Sequence, residues 1–284
     1  MGAIFERLFL GGDADKLEPI QALGLFYEFK ELTPYGPDGD RLVRMLAGRL
    51  VKVDLLEQAA ELLRHQVENR LEGLGQAQIA LDLAAIYLDD KKADKALAVL
   101  NETRQVGLPQ ELIAARRIVE ATALLQLGRY DHAVEIVEKD RSVEAQRIRA
   151  ESAWRRRDWG DSLRTLQPLM PPPRGDAPMT PEERAIVLRA GIAAVFADDR
   201  AAMAQLARTY GARMQSTPDG AAFDVVTGAA DAGDARLREA ARAIARTDLM
   251  DRFMKATRER LTAPAAPAAP APDKTAATAR PPAG

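Results

Sequence analysis

Apolar residues recur along the chain with the spacing of helices rather than of strands. The 3.6-residue periodicity continues from Leu17 to Leu261, with breaks only as long as a turn. Two neighbouring stripes consist of Leu81, Ala84, Tyr87 and Leu88, and of Ala93, Ala96, Leu97 and Leu100. The pattern predicts an all-α fold of about twelve helices without a β-sheet.

The helices are expected to form antiparallel pairs, because the polar breaks at residues 89–92 and 127–129 are short. A small residue recurs early in the second helix of each pair, where it lets the two helices approach closely. The small residues are Ala59, Ala96, Ala133 and Ser162, spaced 37, 37 and 29 residues apart. A less regular fifth pair is predicted over residues 185–197 and 200–210.

The clearest copy of the recurring unit is Leu127-Gly128-Arg129-Tyr130-Asp131-His132-Ala133, which places a glycine, an aromatic and a small residue in succession. With the recurring pairs, it resembles the tetratricopeptide repeat family, whose unit has about 34 residues. The resemblance covers about residues 40–170. It implies an α-solenoid of stacked antiparallel helix pairs, in which each pair buries its apolar face against its neighbours. Lys91 and Arg157 stand where the family's glycine is expected.

A second resemblance concerns the wider chain. The sequences His-Gln-Val-Glu-Asn-Arg at residues 65–70 and Ala-Ala-Phe-Asp-Val-Val at residues 221–226 are similar to the C-terminal helical-repeat region of large alphaproteobacterial proteins of unassigned function. This resemblance implies architecture only. It also implies that the chain is the repeat end of something larger.

Proline marks the boundaries between segments. Of 17 prolines, six lie between Pro168 and Pro181 and six lie after residue 261. Thr180, followed by Pro181, predicts the start of a helix. The predicted segments are N-terminal capping helices at 1–40, tetratricopeptide-like repeats at 41–170, a Pro-rich loop at 171–180, helical pairs at 181–261 and a disordered Ala/Pro tail at 262–284.

Composition narrows the function classes. The chain carries 40 basic and 42 acidic residues, for a formal charge of −2, which excludes a globally basic nucleic-acid coat. It has no cysteine, which excludes disulfides, thiol catalysis and cysteine-bound metals. Aromatic residues make up 5% of the chain, which together with abundant Ala, Leu, Glu and Arg favours helices.

The sequence contains no signature of an enzyme or a cofactor site. Gly-x-Ser-x-Gly, Gly-x-Gly-x-x-Gly and the P-loop motif are absent, so neither catalysis nor a bound cofactor is predicted. Both histidines lie in His-x-x-Glu, His65 with Glu68 and His132 with Glu135. A metal needs three or four ligands, and the two pairs belong to different repeats. We therefore interpret them as solvated helix faces.

The leading hypothesis is a non-catalytic scaffold or adaptor that mediates protein–protein interaction. In the repeat alignment the first helix of each pair lines a groove. The predicted partner-binding residues are Arg41, Arg44, Lys52, Leu81, Ile118, Arg147, Trp154 and Arg155. Cationic walls over an apolar floor would suit a protein or peptide segment that carries acidic residues. Two alternatives to a bound partner are a groove without a dedicated ligand and a groove that is filled by the chain's own segments.

One family-based expectation is excluded by the residues present. Members of the tetratricopeptide repeat family that bind chaperone C-termini hold a carboxylate with a clamp of Lys, Asn and Arg. The corresponding asparagine positions are Gly48, Ala85, Thr122 and Glu151, so the resemblance does not extend to that clamp.

An alternative is a nucleic-acid-associated module. Residues 141–164 contain seven arginines and both tryptophans, a combination that suits phosphates and stacked bases. Interleaved acids such as Glu151 and Asp158 lower the local charge, so nucleic acid is the weaker hypothesis. An enzyme with an unrecognised carboxylate site is a third. Without a signal peptide or an apolar stretch of about 20 residues, the chain is expected to be cytoplasmic and not inserted in a membrane.

Overall fold

The computed structural model describes residues 7–9, 13–29, 36–173, 178–228 and 250–263. Every regular element in these ranges is helical, and none of their residues lies in a strand. The prediction of an all-α fold is therefore confirmed for the described part of the chain. The tail predicted to be disordered lies outside the described residues from residue 264 onward, as do residues 174–177 of the Pro-rich loop.

A short 3₁₀ turn at Asp13–Lys16 precedes the α-helices. The helices are α1 (Pro19–Glu28), α2 (Pro37–Lys52), α3 (Leu56–Asn69), α4 (Gly73–Asp89), α5 (Ala93–Glu102), α6 (Gln110–Gln126), α7 (Tyr130–Ile136), α8 (Val143–Arg156), α9 (Trp159–Leu166), α10 (Pro181–Phe196), α11 (Arg200–Gln215), α12 (Gly220–Gly228) and α13 (Asp251–Thr262). From α1 to α12, each helix packs against the next one along the chain.

The helices from α2 to α11 form five adjacent pairs: α2/α3, α4/α5, α6/α7, α8/α9 and α10/α11. First helices also contact each other, α4 with α6 and α6 with α8. The fifth pair extends to residue 215, five residues beyond the predicted end.

Small side chains hold the pairs together at the predicted positions. Ala59, Ala96, Ala133 and Ser162 are all 0% exposed. Ala96 and Ala133 are thus buried at positions where the sequence predicts a close helix contact. Because nothing larger than a methyl or hydroxymethyl group occupies these positions, the two helices of a pair can approach closely.

One type of turn ends the first helix of every pair. The residues with positive φ in these turns are Asp54, Lys91, Gly128, Arg157 and Asp198, with φ between 52° and 74°. The next residue donates its N–H to a carbonyl five positions back, as Lys92 does to Tyr87 at 2.7 Å. This is a Schellman motif, whose left-handed residue is usually glycine. The backbone thus repeats even where the glycine is replaced.

The start of α10 follows the sequence signal. Thr180 Oγ1 accepts a hydrogen bond from the backbone N–H of Glu183 at 3.2 Å. The Glu183 carboxylate accepts from the backbone N–H of Thr180 at 2.7 Å, which completes a capping box. The predicted helix start is confirmed, and it fixes where the chain resumes after the Pro-rich loop.

Helix α13 does not continue the succession of neighbouring pairs. It packs against α2 and α4, near the other end of the chain. Its partly buried Phe253, Met254 and Leu261 lie against the apolar cluster formed by α1 to α6. The C-terminal helix therefore covers a surface formed by first helices.

Candidate protein-binding face

Helix α13 covers a surface that is formed by α2 and α4. We call it the docking face and define it by Arg44, Gly48, Asp54, Asp82 and Asp89. Four of these residues belong to α2 or α4, and Asp54 is the left-handed residue that follows α2.

The apolar side of α13 rests on the core. Phe253, Thr257 and Leu261 are spaced four residues apart, which places them on one side of the helix. Thr257 is 8% exposed, while Phe253 and Leu261 keep part of their surface in solvent. Met250, just before the helix, is 4% exposed and belongs to the buried cluster formed by α6, α7 and α8. The helix is thus held by apolar contacts along its length.

Arg258 makes the shortest polar contacts between α13 and the docking face among the described residues. Its Nε donates to Asp89 Oδ2 at 2.7 Å, and its Nη2 donates to Asp54 Oδ1 at 2.5 Å. The hydrogen bond to Asp54 raises the pKa of the Arg258 guanidinium above its ordinary value; partial burial opposes this and Asp89 adds to it. Arg258 therefore stays a cation bridging two first helices.

Asp82 is shared by two guanidinium groups. Its Oδ2 accepts from Arg44 Nε at 3.0 Å and Nη2 at 2.8 Å, while its Oδ1 lies 3.4 Å from Arg260 Nη2. Its side chain is 4% exposed. Arg44 joins α2 to α4, and Arg260 adds α13 to the same carboxylate.

Gly48 lets the end of α13 approach the backbone of α2. A Cβ at this position would lie 2.5 Å from the carbonyl oxygen of Leu261, closer than such atoms can come. The missing side chain therefore makes room for the last turn of α13.

A cavity of about 540 Å³ remains beside the end of α13. Arg41, Arg44 and Gln78 line it, together with Arg260 and Ala263. Among the described residues α13 thus covers only part of the docking face, and two of the predicted partner-binding residues, Arg41 and Arg44, line the cavity.

The other predicted residues of the first three pairs are placed differently. Lys52 is exposed at the last position of α2. Leu81 is 3% exposed and Ile118 is 7% exposed, and both belong to buried apolar clusters. Both side chains pack into the core, so they do not form the exposed apolar floor of a groove that was predicted.

Two of the three predicted residues of α8, Trp154 and Arg155, contact a buried ion pair. Glu151 Oε2 accepts from Arg189 Nη1 at 2.6 Å, and Glu151 Oε1 accepts from Arg155 Nε at 2.7 Å. Trp154 is 7% exposed, and the Arg189 guanidinium lies 4.9 Å from its ring centre. Arg147 pairs with Glu182 at 2.7 Å. Trp154 thus contributes to the contact between α8 and α10 rather than to an exposed surface.

Much of the arginine-rich segment is also paired internally. Arg156 contacts Asp131 and Asp161, and Arg164 contacts Asp161. Within the described ranges, no three His, Cys, Asp or Glu side chains are grouped so that they could hold a metal ion. His65 and His132 are both exposed.

Arg258, Arg260, Asp82 and Gly48 were not among the partner-binding residues predicted from the sequence. The available signal was the four-residue spacing of Phe253, Thr257 and Leu261, which places these side chains on one side of α13. Nothing in that spacing specifies which surface receives it.

Comparisons with protein-family models, with curated proteins and with solved structures find no match to this chain. No helix in the described part of the chain is both long and apolar enough to cross a bilayer.

Proposed function

We propose that the chain is a non-catalytic helical-repeat scaffold, a tetratricopeptide-like α-solenoid whose first helices bind a segment of another protein. The observation that carries the proposal is the seating of α13 on the docking face. A surface that already holds one amphipathic helix, through apolar contacts and directed ion pairs, has the chemistry to recognise such a segment.

The repeated backbone supports the same conclusion. Five helix pairs with the same turn, and contacts between successive first helices, are what stacked repeats require. The nucleic-acid alternative receives less support, because Arg147, Arg156 and Arg164 have carboxylate partners within the chain.

The test is affinity capture from the native organism, with the whole chain as bait and identification by mass spectrometry. One variant reverses the charge of the docking face, Asp54→Lys with Asp89→Lys. The matched control is Glu102→Lys with Glu138→Lys, two exposed acids that also lie at or just after the ends of helices, α5 and α7.

Proteins retained by the wild type and the control but lost from the docking-face variant would support the proposal. Equal recovery of the same proteins on all three baits would place the binding surface elsewhere. Recovery of no specific protein on the wild-type bait would contradict the scaffold function.

A further inference from the structure

We infer that α13 is a releasable internal ligand, and that the docking face accepts in trans an amphipathic helix carrying arginines at the positions of Arg258 and Arg260. This inference rests on the proposed function and adds to it the chemistry of the partner and a competitor within the chain. It also changes the partner expected from the sequence, which was an acidic segment.

The carboxylates determine the chemistry of the partner. Asp54, Asp82 and Asp89 all face guanidinium groups of α13. Only Asp82 also has an arginine of the docking face, Arg44, as a partner. When α13 detaches, Arg44 is the one cation of the docking face that still pairs with any of these three carboxylates. Charge complementarity then favours a helix that brings arginine, which can contact two carboxylates at once.

Arg258 illustrates how one side chain serves both carboxylates. It reaches Asp89 and Asp54 with different nitrogens of the same guanidinium. A lysine offers a single ammonium and does not match this arrangement as well. The arginine at this position should therefore be the main specificity determinant of any helix that binds here.

The contacts of α13 are weaker than those of the helices beneath it. Eleven side chains of α4 are buried, from Ala77 to Leu88. In and next to α13, the buried side chains among those described are Met250 and Thr257. Asp54 is 75% exposed and Arg258 is 37% exposed, so solvent and salt screen their ion pair. A helix bound in this way can detach while α2 and α4 stay folded.

A direct test uses a fluorescein-labelled peptide with the sequence of residues 250–263, titrated with the whole chain by fluorescence anisotropy. The wild type is compared with Arg258→Glu, which turns the internal contact into a repulsion. The matched control is Lys255→Glu, the same charge change on the same helix at a side chain that is 77% exposed.

The Arg258→Glu chain should bind the peptide at least tenfold more tightly than the wild type or the Lys255→Glu chain, because its own helix no longer competes. A peptide that itself carries the Arg258→Glu change should bind that chain at least tenfold more weakly than the unchanged peptide. Equal, weak binding by all three chains would overturn the inference.

A second measurement needs no variant. In hydrogen–deuterium exchange of the wild type, the amides of α13 should exchange at least a hundredfold faster than those of α4, and saturating peptide should speed their exchange further. Equal protection of α13 and α4 would show that α13 is a permanent part of the fold. If the molar mass of the protein in solution rises with its concentration because copies exchange α13, the occupant of the docking face is a second copy of this chain. That result would also overturn the inference as stated.

The two proposals can fail separately. If the peptide does not bind but proteins are captured through Asp54 and Asp89, the inference that α13 is an internal ligand is wrong and the scaffold function stands. If the Arg258→Glu chain binds the peptide but no protein is captured, the proposed scaffold function is wrong and α13 is an internal ligand only.

Discussion

Lys91 holds a left-handed backbone conformation at the end of α4, with φ of 58°. This conformation costs a residue with a Cβ about 1–2 kcal/mol. Glycine avoids that cost, but its greater freedom in the unfolded chain offsets part of the gain in stability. We therefore expect Lys91→Gly to raise the free energy of unfolding by about 0.5–1 kcal/mol, measured by urea denaturation. Gly128→Ala, at the corresponding position after α6, should lower it. A decrease with Lys91→Gly would show that the lysine side chain makes a contact worth more than the strain.

Glu151 and Arg189 form an ion pair whose side chains are 0% and 1% exposed. Removing one partner leaves a buried charge, so Glu151→Leu should lower the free energy of unfolding by about 3–5 kcal/mol. The double variant Glu151→Leu with Arg189→Met should recover most of that loss, since it removes both buried charges, while Arg155, the other partner of Glu151, has a side chain that is 47% exposed and stays solvated. An equal loss in both variants would mean that packing, rather than charge, decides the stability of this contact.

The pairing of helices is the level at which the sequence was most informative. Ala133 is 0% exposed in α7, so Ala133→Leu should lower stability by about 1–3 kcal/mol through overpacking. Glu135→Leu adds a similar side chain at an exposed position of α7 and should change stability by less than about 0.5 kcal/mol. Thermal unfolding followed by circular dichroism compares the two. Similar midpoints for both variants would contradict the tight contact at Ala133.

The helix start at Thr180 offers a second test at this level. Thr180→Ala removes the side-chain half of the capping box and should cost about 1 kcal/mol of stability. Thr180→Ser keeps the hydroxyl group and should cost less. If both variants unfold with the wild-type midpoint, the cap does not contribute to the stability of α10.

The small residues could be predicted because they solve a local problem. Ala96 and Ala133 recur at a fixed distance from their turns, and close helix contacts require such residues wherever the pair lies. The role of Trp154 could not be predicted in this way. Its surroundings depend on Arg189, a residue in another pair, and an aromatic residue at that position suits a groove or a core equally well.

At the scale of the whole molecule, the seating of α13 could not be predicted from periodicity. Arg258 contacts Asp89 and Asp54, which lie 169 and 204 residues earlier in the chain. Helical spacing reports which side of a helix is buried but carries no information about a distant partner. A groove filled by the chain's own segments was one alternative that the sequence allowed, but no feature of the sequence identified α13 as that segment.

The ionic character of this contact predicts a response to salt. The Debye length falls from about 10 Å at 0.1 M salt to about 3 Å at 1 M, which weakens exposed ion pairs. We expect amide exchange in α13 to accelerate between 0.05 and 0.5 M sodium chloride, with exchange in α4 unchanged. An equal response of both helices would indicate global destabilisation instead of release.

The absence of a side chain at Gly48 gives the docking face a direction. Only the last turn of α13 brings the carbonyl of Leu261 to that point, while Met250 reaches the cluster formed by α6 to α8. Helix α13 therefore runs from the third and fourth pairs toward the first, against the order of the chain, and we expect a helix that replaces it in the same contacts to run the same way. A peptide with the same residues in reverse order keeps the composition, the charge and the apolar spacing. To present the same side chains, this peptide would have to bring its amino end to Gly48. Weaker binding of the reversed peptide would therefore report the direction of the helix backbone.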